Sequence, residues 1–194
     1  CLYDGDQLLY IIAKHRHVQG TLKGGVVGTL MTNLAFEHAM RRMHVPFARA
    51  KVGDRYVMET MLQQGWQLGG ENSGHIICLD RHTTGDGIIS ALQVLHALRI
   101  NQQTLAQAVS DLTMYPQILL NVRVARGADY SAHASIREVV TAAEMALDGC
   151  GRVLLRPSGT EPLLRVMVEG EDGEKVRHWA ETIAQAVREV AQKI

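Results

Sequence analysis

The chain has 194 residues, of which 46% are hydrophobic and 21% charged, and its twenty basic and twenty acidic residues leave a formal net charge of zero at pH 7. This length allows one large domain or two small ones with ordinary globular cores. The neutral balance excludes non-specific attraction to nucleic acid or an anionic membrane, so any anion site must be built locally.

No apolar run approaches the ~18–20 residues that cross a bilayer, and no signal-peptide pattern opens the chain. Cys1, Cys78 and Cys150 are odd in number, far apart and without CxxC spacing. Neither a disulfide framework nor a zinc site is indicated, and a reducing cytoplasm fits. A start at Cys1 rather than Met reads as a piece cut from something longer.

In chain order, Asp6 to Lys14 reads as a helix burying Leu8, Leu9, Ile12 and Ala13. Gly24 to Thr29 suits a buried strand, and Leu30 to Met43 follows with helical spacing. Pro46 to Ala50 suits the next strand. Asp54 stands where a cap would open a helix carrying Val57, Met58, Met61 and Leu62, which Gly65 ends. His75 to Asp80 has strand composition, Ile88 to Leu98 is helical, and Thr104 with Gln107 has capping-box spacing. Alternating strands and helices to about Leu112 argue for an α/β layer domain with a mixed sheet, residues 1–114. Tyr115-Pro116 breaks the pattern, since the residue before proline avoids the helical region. Beyond it, Ile118 to Val124, Arg152 to Arg156 and Leu164 to Glu169 read as strands. Ser135 with Glu138 marks a capping box opening a helix to about Leu147, and Glu174 to Lys193 places Val176, Ala180, Ile183, Val187 and Val190 on one face. Residues 115–194 therefore form a smaller α+β domain, an antiparallel sheet covered by two helices.

Three segments offer chemistry. Arg156-Pro157-Ser158-Gly159-Thr160-Glu161-Pro162 lies between two expected strands. A phosphate dianion needs convergent donors, and this loop offers the Ser158 and Thr160 hydroxyls, a backbone opened by Gly159 and the Arg156 fork, with Arg165 as a second cation. A polar hairpin connection with a solvated arginine accounts for the segment equally well. Gly70-Glu71-Asn72-Ser73-Gly74-His75 resembles a sugar clamp, because Glu71 accepts from vicinal hydroxyls and Ser73 both donates and accepts. A glycine-rich turn into a strand is the weightier account of those residues alone, and His75 by itself reads as structural. Lys51-Val52-Gly53-Asp54-Arg55 puts a cation on each side of a helix start. A surface cap explains it slightly better. Asp4-Gly5-Asp6 and Thr84-Gly85-Asp86-Gly87 read first as turns that open helices. No P-loop, HExxH pair or GxSxG elbow is present.

Taken together, GENSGH and the later RPSGTEPLLRVMVEG resemble the α-D-phosphohexomutases, and with KVGDRYV and TTGDG the match is closest to the bacterial branch acting on glucosamine phosphates. The resemblance implies the third and fourth of four domains. It makes Glu71 and Ser73 the sugar-hydroxyl contacts and Arg156, Ser158, Gly159 and Thr160 the phosphate loop, and it puts Lys51, Gly53, Asp54 and Arg55 in a neighbouring active-site loop. It also implies interconversion of glucosamine 6-phosphate and glucosamine 1-phosphate through a phosphoserine, with Mg2+ as cofactor and a hexose bisphosphate as primer and intermediate. The phosphoserine loop (Ser-His-Asn-Pro) and the magnesium loop (DGDxDR) are missing here, so the expected partner is an N-terminal half of the same enzyme. No catalytic or metal residue is assigned, and the chain alone is expected to be inactive. A homodimer is compatible with the resemblance. A sibling phosphoglucomutase or phosphomannomutase, or a non-catalytic phosphosugar-binding module, would share the same two loops.

Overall fold

The computed structural model describes residues 1–125, 130–159 and 161–192. It divides the chain into two units, Cys1–Met114 and Tyr115–Ile194.

The first unit opens with α1 (Gly5–Val18). The Asp4 carboxylate accepts from Gln7 N–H and the Gln7 side chain accepts from Asp4 N–H, a reciprocal cap. The helix runs past the expected end at Lys14 because Arg16, nearly buried, reaches the Asp80 carboxylate at 2.9 Å. After β1 (Val26–Thr29), α2 (Leu34–Arg42) begins later than the expected Leu30. Thr32 Oγ1 accepts from Thr29 N–H and holds a turn there, and Asn33 supplies the cap by accepting from Ala35 N–H.

Between β2 (Phe47–Ala50) and α3 (Asp54–Gln64), Gly53 takes the cap position expected for Asp54, and it makes no side-chain cap bond. Asp54 is instead the first helical residue, its carboxylate accepting from Arg55 N–H at 2.8 Å. Gly65 ends α3 in the left-handed conformation, as expected. The sequence reading has no counterpart for β3 (Leu68–Gly70). Two glycines disfavour a strand in isolation, but a Cβ at Gly69 would lie 2.7 Å from Met61 Sδ, so a bare backbone lets α3 lie close. β4 (Ile76–Cys78) follows, then α4 (Gly87–Asn101), capped by Asp86, and α5 (Leu105–Ala108), opened by the Thr104–Gln107 box.

The sheet order is β2-β1-β3-β4, with the first two pairings parallel and β3–β4 antiparallel, the mixed sheet that was expected. On one face α3 closes a core of Val27, Ala50, Val57, Met61 and Ile77. Alternation sends Leu68 the other way, where α1 crosses β3 and packs on α2 and α4.

The second unit comprises β5 (Gln117–Arg123), a short 3-10 turn, α6 (Ala134–Leu147), β6 (Gly151–Pro157), β7 (Leu163–Gly170) and α7 (Gly173–Ala191). The capping box expected at Ser135 and Glu138 does not form. His133 holds the cap position without a side-chain cap bond, and the Ser135 hydroxyl lies 2.9 Å from His133 Nδ1 instead. The antiparallel sheet, order β5-β7-β6, turns Leu164, Val166 and Val168 towards Ile136 of α6 and Val176, Ile183 and Val187 of α7. Each such fully buried side chain contributes about 1.5–3 kcal/mol. On the other face, fully buried Glu169 accepts from both Arg152 and Gln117. Among the described residues no helix is long and apolar enough to cross a membrane.

Candidate functional site

In the first unit three loops converge. β2 ends at Ala50, and the segment Lys51–Gly53 turns with Gly53 at φ +125°, a conformation that L side chains rarely adopt. This turn aims the Gly53 N–H at Glu71 Oε1, 2.9 Å away. Glu71 itself opens a tight turn: its N–H donates to His75 O and its carbonyl accepts from Gly74 N–H, each at 3.0 Å. Asn72 O, in the same turn, accepts from Gly5 N–H at 2.9 Å, so the start of α1 braces it from behind. His75 Nε2 lies 3.5 Å from Asp54 Oδ2. The Thr84–Asp86 turn abuts the same ring, since a Cβ at Gly85 would sit 2.2 Å from His75 Nε2.

The segments containing Gly53 and Asp54, Glu71 and Ser73, and Thr84 to Asp86 therefore form one connected rim. Ser73 is exposed on it. Lys51 places Nζ 5.7 Å from the Tyr56 ring centre. Arg55 is not aimed at the rim: its Nε donates to Glu59 one turn along the same exposed helix face. His75, which reads as structural from sequence, is the residue that ties Asp54 and Gly85 together. The TTGDG segment was the available signal, but only the fold shows that Gly85 abuts the ring.

In the second unit the Arg156–Pro162 segment joins β6 to β7. Ser158 N–H donates to Leu163 O at 2.8 Å, and the Ser158 hydroxyl accepts from Glu161 N–H at 3.3 Å, so the turn is internally bonded. Gly159 has open space where a side chain would stand. Thr160 lies outside the described residues. Arg156 and Arg165 are directly opposite in register, and Asn121 stands opposite Arg165 on the far strand. All three share one face. Like charges directly opposite destabilise a sheet. Here the Nε atoms of both arginines are buried with no hydrogen-bond partner among the described residues. An anion beside the guanidiniums would offset the repulsion. Asn121 was not singled out from sequence, because its alignment depends on a register with a strand far along the chain.

Residues 4–115 match the family model described as phosphoglucomutase/phosphomannomutase, alpha/beta/alpha domain III, and residues 119–186 match its C-terminal domain. Phosphoglucosamine mutase of Nitrosospira multiformis is 63% identical over 190 residues, covering 98% of this chain and 41% of that protein. The protein of the same name from Thiobacillus denitrificans is 61% identical, covering 98% and 42%. The chain thus spans about two fifths of the length of the curated relatives it matches. In fold it is similar to Aspergillus fumigatus N-acetylphosphoglucosamine mutase, solved with GlcNAc-6P and magnesium, at a TM-score of 0.78 and 20% identity over 95% of this chain and 46% of that one.

Proposed function

The chain belongs to the phosphoglucomutase/phosphomannomutase family, and from that premise we propose that it is the C-terminal part of a phosphoglucosamine mutase. That enzyme interconverts glucosamine 6-phosphate and glucosamine 1-phosphate through a phosphoserine. The observation that carries this reading is identity of 57% to 63%, over nearly the whole chain, to relatives bearing that name.

In this reading the β6–β7 turn, with Arg156, Ser158, Gly159 and Thr160, holds the phosphate that does not react. The opposed guanidiniums of Arg156 and Arg165 support that role. Glu71 and Ser73 hold sugar hydroxyls, and Lys51, Gly53, Asp54 and Arg55 form the loop beside them. A carboxylate fixed by the Gly53 N–H repels a dianion and suits neutral hydroxyls, which supports the division of labour. Binding and orientation of this kind are a large part of phosphoryl-transfer catalysis.

The nucleophile and the magnesium belong to the remainder of such an enzyme, as does the step in which a hexose bisphosphate forms and reorients. Among the described residues no group of three His, Cys, Asp or Glu side chains converges as a metal site would require. The setting is the cytoplasm.

The test is a chimera in which this chain replaces the matching stretch of the Nitrosospira multiformis relative. Turnover of glucosamine 6-phosphate in preference to glucose and mannose phosphates is expected. Preference for either of the latter would move the assignment to a sibling mutase, and a folded chimera with no turnover of any of the three would overturn it. The 194-residue chain alone, given glucosamine 6-phosphate and a bisphosphate primer, is expected to show none.

A further inference from the structure

The second unit carries a cation that the Arg156–Pro162 motif does not include. Val122 and Val124, in and just after the edge strand β5, pack in the core with α6 and α7, so alternation sends Asn121 and Arg123 to the opposite face, where both are exposed. Asn121 pairs with Arg165 and Arg123 with Leu163, while Arg165 also pairs with Arg156. Arg123 is thus one diagonal step from Arg165, a separation of about 7–8 Å that long side chains bridge. It also stands at the turn end of the sheet: Val124 N–H donates to Pro162 O at 3.0 Å and ties β5 to the turn itself. Acids are scarce around this group. Along the three strands and the turn the sequence has only Glu161 and Glu169, and Glu169 is engaged by Arg152 and Gln117 at the other end of the face. Among the described residues neither the Asn121 nor the Arg123 side chain has a hydrogen-bond or ion-pair partner. The whole chain is neutral, so the excess of positive charge is local.

We propose that Asn121 and Arg123 are binding residues for a phosphate monoester, extending the anion site from the β6–β7 turn across the sheet to its edge strand. That turn is the phosphate loop of the proposed function, on which this inference rests, and the two side chains join it from outside the motif with different tasks. The Asn121 amide, directly beside Arg165, donates a hydrogen bond to one phosphate oxygen and fixes how the ester is turned. Arg123 stands farther out, on the open edge. Its charge draws the anion in and then holds the outer oxygens. Charge complementarity selects the ligand class: a monoester dianion together with Glu161 balances the guanidiniums of Arg123, Arg156 and Arg165, whereas a monoanion leaves the group positive.

The experiment is calorimetric titration of inorganic phosphate and of glucosamine 6-phosphate into the 194-residue chain and its Arg123→Gln, Arg123→Lys and Asn121→Ala variants. Each is measured at about 0.01 M and about 1 M salt, where charges are felt over roughly 30 Å and 3 Å. Arg137→Gln, the same charge change at an exposed position of α6 on the other face of the sheet, is the control. Arg123→Gln should weaken both ligands by about fivefold or more at low salt and by less than about twofold at high salt, with Arg123→Lys close to wild type. Asn121→Ala should cost about threefold or more at both, because a neutral hydrogen bond is not screened. The control should change neither ligand. Wild-type affinity in Arg123→Gln at low salt, or an equal loss in Arg137→Gln, would overturn the place of Arg123, and wild-type affinity in Asn121→Ala that of Asn121. Phosphate binding that Arg156→Ala weakens and Arg123→Gln does not would leave the turn standing as the phosphate loop and refute the edge strand alone. A wild-type chain that binds no phosphate would refute both. Turnover by the chimera, read separately, tests the mutase reading.

Discussion

Arg156 and Arg165 are held opposite each other by strand register, and Pro157, just beyond Arg156, removes one backbone donor from the turn. In the proposed function the guanidiniums are therefore the main source of anion affinity in the second unit. Arg156→Ala should weaken phosphosugar binding by roughly 1.5–3 kcal/mol, the range of a charge-assisted hydrogen bond. Glu71→Ala should weaken sugar phosphate while leaving inorganic phosphate unaffected. Calorimetric titration of both ligands into each variant checks the pair, and unchanged phosphate affinity in Arg156→Ala would refute the assignment. Gly53 is a different kind of residue, since its contribution is conformational. Its φ of +125° lets the backbone N–H meet Glu71, and a side chain there stores about 1–3 kcal/mol of strain. Gly53→Ala should therefore lower urea stability more than Gly20→Ala, at a turn with φ +66° and open space around it. Equal losses would show that the strained turn is not what joins the two loops.

At the level of elements, α1 is tied to the far end of its unit by Asp111, which accepts from Tyr10 Oη at 2.9 Å and pairs with Lys14 Nζ at 2.7 Å. Burial pushes the Asp111 carboxyl up, but the bonds from Lys14 and Tyr10 and the Lys14 charge outweigh it and hold the group below its ordinary value of 3.8. A carboxyl depressed in the folded state contributes stability above its unfolded value and loses it as pH falls through the folded one. The stability gap between wild type and Asp111→Asn should be constant from neutral pH down to about 4 and shrink below that. Urea midpoints taken against pH read it directly, and a gap that widens on acidification would contradict the link. Helices and strands whose signals are local were legible in the sequence. The Thr104–Gln107 box, the Gly65 stop and the alternation in Leu164, Val166 and Val168 each act within a few residues. Elements set by distant partners were not. β3 forms by pairing with β1 and β4 despite its glycines, α1 is longer because Arg16 finds Asp80, and Ser135 turns to His133 rather than capping α6. The same division holds for the site. Motif chemistry left a structural account open for each loop and the family resemblance suggested the roles, whereas the Gly53–Glu71 bond, the place of His75 and the alignment of Asn121 depend on packing and register.

For the whole molecule, the division at Met114 and Tyr115 falls in an irregular stretch between Leu112 and β5, where Thr113 and Pro116 are exposed. A protease needs an exposed segment that can leave its surroundings, so limited digestion should cut first within residues 113–117. Initial cleavage inside 24–98 or 152–190 would contradict that boundary. The sheet of the second unit also sets an order of events. β6 and β7 are joined by a short turn, yet β7 must also pair with β5, where Gln117 meets Glu169 52 positions away. Closing the longer loop costs more chain entropy before any contact rewards it. The hairpin should therefore nucleate and β5 should join it late. Leu155→Ala would then slow refolding, while Val122→Ala would chiefly speed unfolding, as followed by Trp179 fluorescence in a Trp66→Phe background. On that order, the opposed pair Arg156 and Arg165 is assembled at the earliest stage of folding, before Asn121 arrives beside it.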